Sequence, residues 1–137
     1  LGYDFLNASA SAKLLNTAFA GRKQGPKTLL LDQRIVAGLG NIYVCEALNR
    51  SRISPFKPAG TIAARRLVPL VATVREVLAE AIEAGGSTLR DFSAADGALG
   101  YFQHRFCAYD REGEPCLNPG CTGTIAREVQ AGRSTFY

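Results

Sequence analysis

The sequence predicts a mainly α fold that ends in a small β-hairpin. Apolar residues recur at helical spacing through 9–19, 28–50 and 61–84, glycine-bearing breaks at 21–25, 37–40 and 85–86 separate those runs, and the last segment alternates about Gln130-Ala131-Gly132. With 137 residues, 47% of them hydrophobic, the chain can bury a real core. The expected division is a helical domain over 1–105, entered by a linker at 1–8, and a hairpin unit over 106–137.

The first helix is expected over Ser9 to Phe19, opened by a serine cap and closed before Gly21. Gly21 to Lys27 reads as a basic loop carrying Arg22, Lys23 and Lys27, with Pro26 stopping the preceding helix. Thr28 to Arg50 reads as helix, tight turn, helix. Leu29, Leu30, Ile35 and Val36 line one face of the first, and Ile42, Val44, Cys45 and Leu48 one face of the second, so both are expected to be half-buried.

In the turn between them, Gly38 and Gly40 permit positive φ, and Asn41 is expected to cap the following helix. Two readings stay open for Gly38-Leu39-Gly40-Asn41. It is either a C-cap followed by an N-cap, or an anion site in which unpaired backbone donors and the helix dipole receive a phosphate. Ser54 to Gly60 is a rigid connector with two prolines, and Thr61 to Ala84 is the longest helix, lined by Leu67, Leu70, Val71, Val74, Leu78, Ala81 and Ile82. Pro69 lies inside that run, so a break after Val68 or a kink is expected.

Ser87 to Tyr101 has little periodicity and reads as a long loop, the kind that in compact domains carries function or is disordered. Phe102 to Tyr109 reads as a short strand holding Cys107, and Asp110 to Pro115 as a turn. His104, the one histidine, has no partner at ligand spacing and reads as structural or surface. Cys45, on an apolar helix face, reads as core. Cys116 and Cys121 enclose a turn, which suits half of a four-cysteine zinc site, and a hairpin after them would display Arg133 at its tip.

Sixteen Lys and Arg against twelve Asp and Glu give +4 and a pI near 9.0, a balance that suits a polyanionic partner. No apolar run is long enough to span a membrane and no basic segment leads into an apolar signal core, so a cytoplasmic protein is expected.

Several motifs occur together in one order: K-x-L-L-x-D-Q at Lys27 to Gln33, V-A-G-L-G-N-I-Y at Val36 to Tyr43, GGSTLRDF at Gly85 to Phe92, D-G-x-x-G-Y-F at Asp96 to Phe102, Y-x-R-E-G-E-P-C at Tyr109 to Cys116, and G-R-S-T-F-Y at Gly132 to Tyr137. In this the whole chain resembles the C-terminal half of the formamidopyrimidine-DNA glycosylases, bacterial base-excision enzymes that remove oxidised purines. The resemblance implies a helix-two-turns-helix DNA-binding domain followed by a zinc-finger hairpin, here a remnant with two of its cysteines. It implies that Asn41, at the end of the turn with Gly40, and Arg133 grip phosphates flanking the lesion, and that Lys27 faces the damaged nucleotide. It also implies that the loop with Ser87, Thr88, Gly100 and Tyr101 folds over the everted base.

Departures from the family pattern are Tyr3 and Phe5, where the usual opening has prolines, and Ala98, where some relatives are basic. The family's N-terminal proline nucleophile and its neighbouring glutamate have no counterpart among these residues. By themselves they are therefore expected to be catalytically inert, with zinc absent or incompletely held. The partner implied is duplex DNA containing a damaged base, bound by a monomer in the bacterial cytoplasm at the nucleoid. Two alternatives stand beside this: an endonuclease VIII-type enzyme acting on oxidised pyrimidines, and a non-catalytic helix-two-turns-helix module of the kind found in some ribosomal and topoisomerase proteins.

Overall fold

The computed structural model describes residues 8–32, 39–83 and 106–137. Four α-helices run in the order α1 (Ala8–Phe19), α2 (Pro26–Leu31), α3 (Asn41–Arg50) and α4 (Leu67–Glu83), followed by a hairpin of β1 (Arg127–Gln130) and β2 (Arg133–Phe136). None of the described helices is long and apolar enough to cross a membrane. The expected residues Gly38, Ser87, Thr88, Gly100, Tyr101 and His104 lie outside the described part of the chain.

Helix α4 is the spine of the core. Leu67, Leu70, Val71, Val74, Val77 and Ala81 are buried along it, against Ala12, Leu15 and Phe19 of α1 and Val44, Ala47 and Leu48 of α3. Each fully buried leucine, such as Leu15 or Leu70, contributes about 1.5–3 kcal/mol relative to exposure. Val77 rather than Leu78 takes the innermost position, with Leu78 only packed on the rim of the cluster.

Several expectations are corrected here. Pro69 neither breaks nor kinks a helix, because α4 starts at Leu67 and places Pro69 in its first turn, where backbone N–H groups lack helical partners anyway. Before it stand two single 3₁₀ turns, Ala59–Thr61 and Ala64–Arg66. Helix α3 is not half-buried: Asn41 and every residue from Tyr43 to Leu48 are buried, since α2, α4 and β2 all pack against it. The described end of the expected strand at 102–109 is not a strand; the amides of Cys107, Ala108 and Tyr109 converge instead on one carboxylate.

Loop 21–25 and connector 54–60 brace each other. Gly21 takes φ +69 to end α1, Arg22 N–H bonds Phe19 O at 3.0 Å, Gly60 N–H bonds Arg22 O at 3.0 Å, and Ala59 N–H bonds Gln24 O at 2.8 Å. A Cβ on Gly25 would lie 2.1 Å from Pro55 O, a backbone atom that must move to admit it. Gly25→Ala is therefore expected to destabilise the protein by about 1–3 kcal/mol, measured by urea unfolding.

The hairpin has the predicted tip. Ala131 and Gly132 both have positive φ, +52 and +81, as a two-residue type I′ turn requires, and Gln130 pairs with Arg133 across it. Ala108, Ile125 and Phe136 form a small cluster under the hairpin. Tyr109 joins that cluster to the helical core, its ring edge-on to Phe136 at 4.9 Å and to Phe106 at 5.8 Å.

Candidate nucleic-acid interface

Two elements meet at the interface: the first turn of α3 and strand β2. Gly40, not Asn41, is the N-cap of α3, and Asn41 is its first helical residue. The asparagine side chain is thereby free of capping and reaches across to β2, where Nδ2 donates to Ser134 O at 3.0 Å. Gly40 has φ −97 and ψ 171, an extended backbone open to any residue, and a Cβ there would meet only the Tyr43 ring at 4.0 Å. Neither backbone strain nor internal packing calls for glycine at this point. What its missing side chain leaves is open approach to the helix N-terminus, whose first amides have no helical acceptor.

Lys27, near the start of α2, is only 1% exposed. Its Nζ donates to Ser134 O at 3.1 Å and to Thr135 Oγ1 at 2.5 Å. Thr135 Oγ1 in turn donates to Gln130 Oε1 at 3.1 Å, and Gln130 Nε2 to Pro55 O at 2.9 Å. This relay ties the hairpin to α2 and to the connector. The carbonyl of Ser134, next to Arg133 in sequence, is held by Asn41 and Lys27 together.

Arg133 is exposed, as the residue after the turn, and borders a cleft of about 220 Å³ shared with Lys27, Thr28, Asp32 and Gln130. Burial lowers the Lys27 pKa below the usual 10.5, and the nearby positive charge of Arg133 lowers it further, against a partial offset from Cys45. An anion entering the cleft would meet two cations whose mutual repulsion it relieves. Cys45, 2% exposed, is core as expected, and burial raises its thiol pKa.

Glu46 was not singled out by its sequence, yet it is fully buried and organises the rear of the interface. Its carboxylate accepts from the amides of Cys107 at 2.6 Å, Ala108 at 2.7 Å and Tyr109 at 2.8 Å, and from Arg50 Nη2 at 3.3 Å. Arg50 also bonds both carboxylate oxygens of Glu80 on α4, at 2.9 and 3.2 Å. The signal available in sequence was a lone acid among apolar residues on α3, with a basic residue four positions on, a spacing that reads equally as a surface pair.

The 113–125 segment folds back on itself: Gly113 N–H bonds Ile125 O, Ile125 N–H bonds Glu114 O and Cys116 N–H bonds Gly123 O, each at 2.9 Å. The intervening turn brings Cys121 beside Cys116. Gly123 N–H points at Cys121 Sγ at 3.4 Å, and this donor, with the Cys116 thiol, lowers the Cys121 pKa. Two adjacent sulfurs with a backbone donor aimed at one of them fit half of a tetrahedral zinc site, while no third His, Cys, Asp or Glu joins them among the described residues.

Residues 1–93 match the family model described as the formamidopyrimidine-DNA glycosylase H2TH domain. A curated formamidopyrimidine-DNA glycosylase of Caulobacter vibrioides (strain NA1000 / CB15N) is 72% identical over all 137 residues, which are 48% of its length. The chain thus spans about half the length of the curated relatives it matches. A crystal structure of the Fpg protein of Thermus thermophilus superposes with TM-score 0.83 at 45% identity, covering all of this chain and 52% of that one. Lactococcus lactis formamidopyrimidine-DNA glycosylase, solved non-covalently bound to DNA containing an abasic site, gives TM-score 0.83 at 31% identity, covering all of this chain and 48% of that one.

Proposed function

The chain belongs to the formamidopyrimidine-DNA glycosylase H2TH domain family, and from that premise we propose that it is the DNA-gripping portion of a glycosylase with associated lyase activity that removes oxidised purines from duplex DNA. The observation that carries this reading is the shared Ser134 carbonyl. By accepting from both Asn41 and Lys27, it ties the strand that opens with the exposed Arg133 to the first turn of α3. A phosphodiester backbone passing between them would receive an Asn41 amide N–H, free helix amides and an arginine fork. Such contacts position DNA without reading its sequence, as suits an enzyme whose lesion occurs anywhere.

In this reading the interface residues hold and orient, and none is assigned to bond breaking. Ser87, Thr88, Gly100 and Tyr101 belong to the segment that would cover the everted base. Cys116 and Cys121 would supply two of the thiolates of a structural zinc, which serves to rigidify the base of the hairpin and so the placement of Arg133. The relatives' shared name, referring to a ring-opened purine, favours oxidised purines over the pyrimidine preference of endonuclease VIII-type enzymes.

The test uses the intact protein on duplexes carrying 8-oxoguanine, thymine glycol or no lesion. Faster strand scission at 8-oxoguanine supports the proposal, preference for thymine glycol replaces it with the pyrimidine alternative, and equal binding with no scission of any duplex would leave a non-catalytic module.

Proton linkage offers a second check. A phosphate beside Lys27 favours its charged form, so its pKa is higher in the complex than in the free protein. Affinity is then full below the lowered free value and falls as pH rises through it. Lys27→Gln should flatten that dependence, as read from anisotropy titrations at several alkaline pH values.

A further inference from the structure

We propose that Arg22, Lys23 and Lys57 form an outlying second contact with duplex DNA, holding phosphates beyond the stretch gripped by Asn41 and Arg133; the proposal rests on the DNA-binding reading above. Charge segregation first points to this surface. Between Phe5 and Leu31 there are four cations and no acid, and between Ala47 and Arg75 six cations and no acid. Of those in the second stretch, Arg50 is occupied by Glu46 and Glu80, Arg66 donates to Ser51 O and Arg52 O, and Arg52 donates to Pro119 O. Arg22, Lys23 and Lys57 are exposed and form no ion pair with any described acid.

These three are held on one braced platform rather than scattered on mobile loops. The Arg22 and Gln24 carbonyls accept from Gly60 and Ala59, so the 21–24 loop lies alongside the 57–60 connector with its carbonyls directed inwards. A side chain at Gly60 would collide with Arg22 N and O at 3.0 and 3.1 Å, which shows how closely the two segments lie. The platform is continuous with the candidate interface: Gly25 lies against Pro55 O and Gln130 Nε2, and Gln130 is the cross-strand partner of Arg133. Cations on rigid backbone next to a phosphate clamp fit the uniform charge of a duplex backbone, which continues past any one contact.

The test is a salt titration of DNA affinity by the intact protein, using a long duplex with an abasic-site analogue and the same duplex shortened on one or the other flank. R22Q/K23Q/K57Q removes the charges while keeping polar side chains, and its thermal midpoint should equal the parent's because all three residues are exposed. If the proposal is right, the slope of log K against log salt becomes shallower by about 2–3, since each phosphate contact contributes roughly 0.9. The parent also loses affinity when one flank is shortened, and the variant does not. A steep parental slope unchanged in the triple variant overturns the outlying contact and leaves the clamp intact. Absence of salt-dependent binding by the parent overturns the clamp reading, and this contact with it.

Discussion

Glu46→Ala should destabilise the protein by about 3–5 kcal/mol, the loss typical of removing one partner from a buried charged network. The reason lies in what remains. Three consecutive amides at Cys107, Ala108 and Tyr109 lose the acceptor that holds them at 2.6–2.8 Å, and Arg50, with only 13% of its side chain exposed, keeps Glu80 as its close carboxylate partner. Arg50 stays charged throughout: burial acts against its charge, but the hydrogen bond to Glu80 and the neighbouring carboxylates raise its pKa. Glu46→Gln keeps one carboxyl-type oxygen yet turns an NH₂ towards amide donors, so an intermediate loss of about 1–3 kcal/mol is expected. Glu112→Ala, at an exposed site of the same charge, should stay within about 0.5 kcal/mol. Urea unfolding of the three variants measures this, and equal midpoints for Glu46→Ala and Glu112→Ala would show that the network carries no net stability.

Arg133→Ala should weaken duplex binding by about 1.5–3 kcal/mol, roughly tenfold or more, because a hydrogen bond from a charged group to phosphate is lost. The loss should be similar for every sequence, and the salt slope should fall by about 1. Asn41→Ala should also weaken binding whatever the sequence, but it removes no charge, so its slope should match the parent's. It carries an internal cost as well, because Asn41 Nδ2 bonds Ser134 O. Some of its effect should therefore act through Arg133, and the double variant should lose less than the two single losses added together. Simple additivity in this cycle would mean that the two residues bind independently, without the shared carbonyl aligning them. Unchanged affinity in both single variants would remove the clamp altogether.

How much of this was readable beforehand follows from the range of the interactions. Helix α1, the long helix α4 and the hairpin announce themselves locally, by apolar recurrence and by Ala131-Gly132 between two short runs. The position of Pro69 was readable too: Ala63 to Arg66 has no apolar periodicity, which should have moved the helix start towards Leu67. The sequence reads Asn41 as the N-cap of α3, and the structure gives that role to Gly40. Glycine and asparagine both serve as caps, and the bond that Asn41 makes to Ser134, 93 residues away, has no local signature. The bonds of Lys27 to β2 were not legible, because they depend on partners 107 and 108 residues away. Glu46 was illegible for the same reason, since its acceptor role exists only once amides 61–63 residues later arrive.

The junction at Tyr109 makes the shape of the hairpin conditional on the helical core. A two-stranded ribbon that itself contributes only Phe136 to a three-residue cluster does not hold its shape in water unaided. It acquires shape when Tyr109 wedges between Phe106 and Phe136 and the buried carboxylate of α3 collects the preceding amides. The placement of the arginine at its tip therefore depends on contacts made by the helical core. A chain whose helices are misassembled therefore lacks the pairing of Asn41 with the Arg133 strand on which the proposed grip depends.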